Sequence, residues 1–141
     1  MKLKELIRVL ITEEMSDVSV YKVEADLFCA TDEVGDELYQ LFTMLSNQKR
    51  TRLKGLSTIS KEGVGFRQRK TEGARSIQAC FRTHISRTER SITLYRALLK
   101  LIVKPESREM IREIIEQEKT ALASLKELQS RLIAASGPGS K

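Results

Sequence analysis

The amino-acid sequence predicts an all-α protein, and three observations favour that class. Apolar residues recur over most of the chain at about 3.6 residues, the period of an amphipathic α-helix. Only two of the 141 residues are proline, so long segments lack the residue that most disrupts a helix. Hydrophobic residues make up 40% and charged residues 31% of the chain, which is typical of a soluble globular domain. A chain of this length predicts one domain, at residues 1–135.

The first two predicted helices are joined by a short link. The first runs from about Leu3 to Cys29, and the second continues to about Ile59. Residues 31–33, Thr-Asp-Glu, are expected to cap the second helix and form its acidic first turn. Residues 18–23, VSVYKV, alternate β-branched side chains, so a short strand is an alternative there. The apolar face continues on both sides of that segment, which favours a helix.

The last two predicted helices are also joined by a short link. The third spans about Arg75 to Val103, and Pro105 is predicted in the first turn of the fourth, where its missing N–H costs little. Ser60–Ser76 has three glycines and no apolar period, so it is predicted to be a long connection. Because short links join antiparallel neighbours, the sequence predicts an antiparallel four-helix bundle of two hairpins. Residues 136–141, SGPGSK, are predicted to form a flexible tail.

The two predicted hairpins resemble each other in sequence. The segment ITEEMSDVSVYK from Ile11 aligns with ISRTERSITLYR from Ile85. The segment LFTMLSNQKRTRLKGL from Leu41 aligns with MIREIIEQEKTALASL from Met110. A repeated helix pair predicts a bundle with pseudo-two-fold symmetry.

Two cations interrupt the apolar face of the second predicted helix. Lys49 and Arg52 lie on the face that should line the bundle core. Residues three apart share a helix face, so both side chains are predicted to point into the bundle at one height. Their counterparts in the internal repeat are Glu118 and Ala121.

These positions resemble the metal-ligand pattern of the rubrerythrin-type ferritin-like family, and the resemblance covers the chain to about Ser130. In that family the first helix of each hairpin has a Glu seven residues before a Tyr. The second helix has a Glu-x-x-His, and together these side chains hold two irons. Glu14 and Tyr21 match the first Glu–Tyr pair, whereas Thr88 stands in place of the Glu before Tyr95.

The second helix of each hairpin departs further from that pattern. The fourth predicted helix has Glu118 in the Glu position but Ala121 in the His position, and the second has Lys49 and Arg52 there. The resemblance therefore implies a ferritin-like bundle with a degenerate di-iron site and no cofactor. Lys49 and Arg52 are expected to replace the charge of the irons and to pair with Glu14 and Glu118. Such a core salt-bridge network is plausible because paired buried carboxylates are tolerated, whereas isolated ones are very costly.

Three further residues are expected near this site. Tyr21 and Tyr95 are predicted to bury their rings and hydrogen-bond across the bundle. His84, one turn before the substituted Glu position, is expected to be a hydrogen-bonded core or boundary residue. One alternative is that the four charged side chains lie at a bundle edge and reach water. Another is an oxidoreductase or iron-handling protein with a reduced or shifted iron site formed by Glu14, Glu118 and His84.

A basic region follows the second predicted helix. Positive residues outnumber negative ones from Arg67 to Arg90, and the whole chain has a formal net charge of +6. The region is a candidate for binding nucleic acid or another anionic partner. The alternatives are a solvated basic face or an interface with the acidic residues 31–37 of a second copy. The basic residues are Arg67, Arg69, Lys70, Arg75, Arg82, Arg87 and Arg90.

The sequence favours a non-catalytic binding or structural module, expected as a homodimer, over an enzyme. It has no P-loop, no recognisable catalytic triad and no cysteine–histidine spacing of a zinc site. Cys29 and Cys80 have apolar neighbours and are predicted to be buried thiols in a reducing compartment. The first residues do not resemble a signal peptide, and no stretch reaches the roughly 18 apolar residues of a spanning helix. A cytoplasmic location is therefore predicted.

Overall fold

A computed structural model describes residues 2–60 and 71–136 of the protein. Within these residues there is no strand, and the helices are α1 (Leu3–Phe28), α2 (Gly35–Ser60), α3 (Ile77–Leu101) and α4 (Pro105–Ser136). The predicted all-α class and the four helices are therefore confirmed. Residues 18–23, where a strand was the alternative, lie inside α1. Residues 61–70 of the predicted connection and residues 137–141 of the predicted tail lie outside the described residues.

The link between α1 and α2 differs from the prediction. The sequence places the start of α2 at residues 31–33, but the helix begins at Gly35, and its acidic first turn comes from the residues that follow. Glu33 has a φ of 74°, in the left-handed region, so it belongs to a turn before the helix. A Cβ on Gly35 would lie 2.3 Å from the carbonyl oxygen of Cys29. Glycine is therefore required at this turn between the two helices.

Helix α3 is shorter at both ends than the predicted Arg75–Val103 helix. Ser76 is its N-cap, because Ser76 Oγ accepts a hydrogen bond of 3.1 Å from the backbone N–H of Ala79. At the other end, Arg108 Nη1 donates a hydrogen bond of 2.6 Å to the carbonyl oxygen of Leu99. That bond satisfies a carbonyl that the end of the helix leaves without a partner. Proline is the first residue of α4, as predicted.

The four helices enclose two hydrophobic clusters. Helix α1 packs on α2 and α3, and α4 packs on the same two helices. The Tyr21 cluster includes Tyr21, Leu38, Phe42, Leu45, Phe81, Ala121, Leu125 and Leu128. The Leu10 cluster includes Leu6, Ile7, Leu10, Leu56, Tyr95, Leu98, Ile111 and Ile115. Among the described residues, no helix combines the length and the apolar content that crossing a lipid bilayer requires.

A layer of polar side chains lies between the Tyr21 cluster and the Leu10 cluster. On each helix, at least one buried polar residue falls in sequence between a member of one cluster and a member of the other. These residues include Glu14 on α1, Lys49 on α2, Thr88 on α3 and Glu118 on α4. Apolar packing on both sides keeps water from this layer, so its charges have to be balanced by one another.

Candidate functional site

Lys49 and Arg52 point into the bundle from α2. Their side chains are 3% exposed, although each carries a charge that water would solvate. The two residues are three apart, so they share the inner face of the helix, as the sequence predicts. The alternative in which the charged side chains reach water at a bundle edge is therefore wrong.

Each of the two cations contacts both Glu14 and Glu118. Lys49 Nζ lies 2.9 Å from Glu14 Oε1 and 3.5 Å from Glu118 Oε1. Arg52 Nη1 lies 3.1 Å from Glu14 Oε2 and 2.7 Å from Glu118 Oε1. The two carboxylates are only 2% and 1% exposed. A carboxylate from α1 and another from α4 are thus bridged by two cations from α2.

Two more charged residues extend the network: Asp17, which was not predicted, and Arg87, which was predicted only as part of the basic region. Asp17 Oδ2 lies 3.2 Å from Lys49 Nζ. On its other side, Asp17 Oδ1 accepts a hydrogen bond of 3.1 Å from Arg87 Nε on α3. With these residues, three carboxylates (Glu14, Asp17, Glu118) face three cations (Lys49, Arg52, Arg87), so the charges cancel.

Neutral side chains bind further polar atoms of the network. Tyr95 donates from its hydroxyl to Glu14 Oε2 at 2.9 Å. Gln117 Oε1, which the sequence analysis also missed, accepts from Arg52 Nε at 3.3 Å and Nη2 at 3.1 Å. Arg52 therefore uses both edges of its guanidinium group, which fixes its orientation in the core. Glu118 Oε2 is buried and has no hydrogen-bond partner among the described residues.

The surroundings keep Glu14 and Lys49 charged and Tyr95 neutral. Burial alone raises the pKa of Glu14, but the charges of Lys49 and Arg52 outweigh it, and the pKa is lowered. Burial likewise disfavours the charged form of Lys49, yet Glu14, Asp17 and Glu118 raise its pKa above the ordinary value. Burial and the adjacent Glu14 raise the pKa of Tyr95, so that the phenol keeps the proton it donates. Glu14 and Lys49 therefore form a charged pair at neutral pH.

Thr88 and Ala121, which the resemblance places at two substituted ligand positions, are both buried. Neither side chain offers a charge, so neither alters the balance of the network. The ring of Tyr21 is buried as predicted, and Lys49 Nζ lies 5.9 Å from its centroid. A protonated lysine or arginine has no lone pair for a metal, and its charge repels one. These residues therefore do not suit a di-iron centre.

His84 is buried, but not beside Glu14 and Glu118. Its ring stacks on Tyr21, with centroids 4.1 Å apart, and its Nε2 faces the carboxylate of Glu24. Among the described residues, the side chains that come close enough to share a metal ion are Glu24, Cys80 and His84. The alternative iron site of Glu14, Glu118 and His84 is therefore not assembled.

The two cysteines differ from each other. Cys80 is a buried thiol, as predicted, but the prediction was wrong for Cys29, which is exposed. Cys29 is the C-cap residue of α1, where the chain leaves the bundle. Its Sγ donates to the carbonyl oxygen of Asp26 at 3.3 Å.

The basic region is described only in part, because Arg67, Arg69 and Lys70 lie outside the described residues. Two of its other arginines form ion pairs within the chain. Arg87 pairs with Asp17, and Arg90 pairs with Glu13. Their charge is therefore partly neutralised within the chain, which weakens the attraction of the region for an anionic partner.

Comparison of the chain with protein-family models, with curated proteins and with solved structures finds no match. The function must therefore be inferred from the side chains themselves.

Proposed function

We propose that the protein is a ferritin-like bundle of rubrerythrin type in which a salt-bridge network replaces the di-iron centre. In this proposal it is a non-catalytic binding or structural module. The positive charge that metal ions supply in such bundles comes instead from Lys49 and Arg52.

One observation carries the proposal: Lys49 Nζ and Arg52 Nη1 each contact both Glu14 and Glu118. In the ferritin-like pattern, those two carboxylates bind the irons, and the positions of the two cations hold a Glu and a His. The cations therefore lie between the surviving carboxylates, as the substitution of a metal centre requires. Because the charges of the network balance one another, a metal is not needed to compensate them.

The order of the clusters along each helix supports an antiparallel arrangement. Helices α1 and α4 pass from the Leu10 cluster to the Tyr21 cluster, whereas α2 and α3 pass in the opposite direction. Each helix contacts only helices of the opposite direction among the described residues. This is the pattern expected of two antiparallel hairpins packed together.

A reversal variant tests the proposal. The substitutions Lys49→Glu, Arg52→His, Thr88→Glu and Ala121→His restore the missing ligand types at buried positions. We expect the purified variant to bind about two irons per chain, measured by elemental analysis after reconstitution with ferrous iron. The matched control is Asn47→Glu with Arg50→His, which creates the same Glu-x-x-His spacing on the exposed face of α2. The control should bind no more iron than the wild type.

The wild-type protein gives a second readout in case the reversal variant does not fold. Protein from iron-rich medium should contain no iron that depends on Glu14 or Glu118. Near-stoichiometric iron that is lost in Glu14→Gln would contradict the proposal and favour an iron-handling function. Three further expectations stay predictions. Sedimentation tests the homodimer, and localisation in cells tests the cytoplasmic location. The salt dependence of nucleic-acid binding tests the anionic partner at the basic region.

A further inference from the structure

A second buried polar cluster lies within the Tyr21 cluster, of which Cys80 is a member. Cys80 and His84 are four residues apart on α3, so they share one helix face. Glu24 faces them from α1. All three residues are buried, and one potential ligand atom from each lies within 4.8 Å of the other two. None of these residues takes part in the ion-pair network.

The donor set is that of a transition-metal site. A thiolate, an imidazole and a carboxylate each offer a lone pair, and zinc binds all three types at about 2.0–2.3 Å. Tetrahedral bonds of that length separate the ligand atoms by roughly 3.3–3.8 Å. The three atoms already lie within 4.8 Å of one another, so ligation requires the side chains to shift from this spacing to the tetrahedral one. Metal ions that prefer oxygen ligands alone are disfavoured by the thiol and the imidazole.

The imidazole and the carboxylate are held in place before any ion binds. His84 stacks on Tyr21 at an interplanar angle of 21°, and the edge of Phe42 packs against it with centroids 5.5 Å apart. Glu24 Oε2 accepts a hydrogen bond of 2.8 Å from the backbone N–H of Ala74. That bond leaves Glu24 Oε1 facing His84. The backbone N–H of Ala74 thus orients the carboxylate, as hydrogen-bond partners of metal-binding carboxylates do.

The cluster lacks the internal compensation of the ion-pair network. Glu24 is contacted by His84, Cys80 and the Ala74 backbone, and none of these is a permanent cation. His84 Nδ1 is buried and has no hydrogen-bond partner among the described residues. A bound cation would balance the carboxylate, and ligation through Nδ1 would give this nitrogen the partner that it lacks. This unpartnered nitrogen is an observation independent of the spacing of the three ligands.

We propose that Glu24, Cys80 and His84 bind one divalent transition-metal ion of the zinc type. Three protein ligands leave a fourth coordination position for water or for a small ligand. Binding releases the thiol proton of Cys80 to solvent, because the thiolate is the form that ligates the metal. The site goes beyond the proposed function and is independent of it, since the two sites share no residue.

Titration of the full chain with Co²⁺ tests the site. Cobalt stands in for zinc and gives a thiolate-to-metal charge-transfer band in the near ultraviolet. The chain has two cysteines, so in Cys29→Ser such a band can arise only from Cys80. We expect one equivalent of Co²⁺ to produce the band in the wild type and in Cys29→Ser, and zinc to displace it. Cys80→Ser should lose the band, and His84→Gln should weaken binding at least tenfold.

Two results would overturn the proposal: no charge-transfer band in Cys29→Ser, or an unchanged band in Cys80→Ser. The first result is decisive even if Cys80→Ser does not fold, which far-ultraviolet circular dichroism would reveal. The same titration separates this site from the ion-pair network. Metal that is lost in Cys80→Ser but kept in Glu14→Gln supports the new site. Metal kept in Cys80→Ser but lost in Glu14→Gln contradicts both the new site and the proposed function.

Discussion

Two glutamates of the same helix are buried to nearly the same degree and are compensated in opposite ways. Glu14 is 2% exposed and Glu24 is 3% exposed, and both are on α1. Glu14 is faced by Lys49 and Arg52, whose charges are permanent. Glu24 is faced by His84 and Cys80, whose side chains carry lone pairs. Burial alone therefore does not indicate whether a carboxylate belongs to a structural network or to a binding site.

The nature of the neighbours makes the difference. A lysine or arginine fills the space beside a carboxylate and closes it to metal ions. The charges of the ion-pair network around Glu14, the Glu14 network, are therefore balanced within the folded chain. An imidazole and a thiol leave the positive charge to be supplied by a proton or by a metal. We therefore expect the Glu14 network to control stability and the Glu24 cluster to respond to metal ions.

The largest effect should come from removing one cation of the network. Arg52→Ala leaves Glu14 and Glu118 buried with only Lys49 between them. Breaking a buried ion pair in this way costs about 3–5 kcal/mol of the free energy of unfolding. Urea denaturation followed by circular dichroism measures the loss.

The matched control for Arg52→Ala is Arg90→Ala. Arg90 pairs with Glu13 at the surface, and its side chain is 58% exposed. Such exposed pairs contribute about 0–1 kcal/mol. Equal losses in Arg52→Ala and Arg90→Ala would mean that water reaches the interior network, which would remove the contrast between its charges and those of the surface.

Neutralising the two glutamates in turn compares the regions directly. Glu14→Gln leaves the charges of Lys49 and Arg52 with one carboxylate fewer, so we expect a loss of about 3 kcal/mol, at the low end for a broken buried pair. Glu24→Gln removes a hydrogen-bond acceptor but strands no permanent cation, so the loss should be about 1–2 kcal/mol. Both free energies of unfolding are measured in the presence of a chelator. A larger loss of stability in Glu24→Gln than in Glu14→Gln would contradict the expectation that the Glu14 network, and not the Glu24 cluster, controls stability.

Part of the Glu14 network follows from local signals in the sequence, whereas the pairing with Glu14 was implied by the resemblance to the ferritin-like ligand pattern. Lys49 and Arg52 are three residues apart on an apolar helix face, and the internal repeat pairs them with Glu118 and Ala121. Asp17 is also three residues after Glu14, but its role depends on Arg87, which is 70 residues away. Only the packing of α1 on α3 brings these two together, and no spacing in the sequence encodes it.

The Glu24 cluster was missed for a similar reason. Cys80 and His84 are visible as an i, i+4 pair, but the third ligand is 60 residues from His84. The error at Cys29 has another cause. Its apolar neighbours in the sequence predict burial, yet the residue caps the end of α1, where the chain turns away from the core. Local composition does not report where a helix ends within the fold.

Acid should weaken the protein through Glu14. Its pKa is lower in the folded chain than its ordinary value of 4.5. The stabilisation is therefore fully present above that pH and is lost as the pH falls through the folded pKa. The free energy of unfolding should decline there by up to about 1.4 kcal/mol per pH unit for this one group. Urea titrations at a series of pH values should show a shallower decline in Glu14→Gln, and an identical decline would exclude Glu14 as the source.

The smallest loss of stability should come from removing the neutral hydroxyl group that contacts the network. Tyr95→Phe removes the hydrogen bond of 2.9 Å to Glu14 Oε2, but that oxygen still accepts from Arg52 Nη1 at 3.1 Å. Because no buried acceptor is stranded, the loss should be about 1 kcal/mol. Tyr39→Phe is the control, since Tyr39 is 43% exposed and its hydroxyl is free to bond with water. A loss in Tyr95→Phe as large as that of Arg52→Ala would mean that the phenol, and not the guanidinium group, is what makes the burial of Glu14 tolerable.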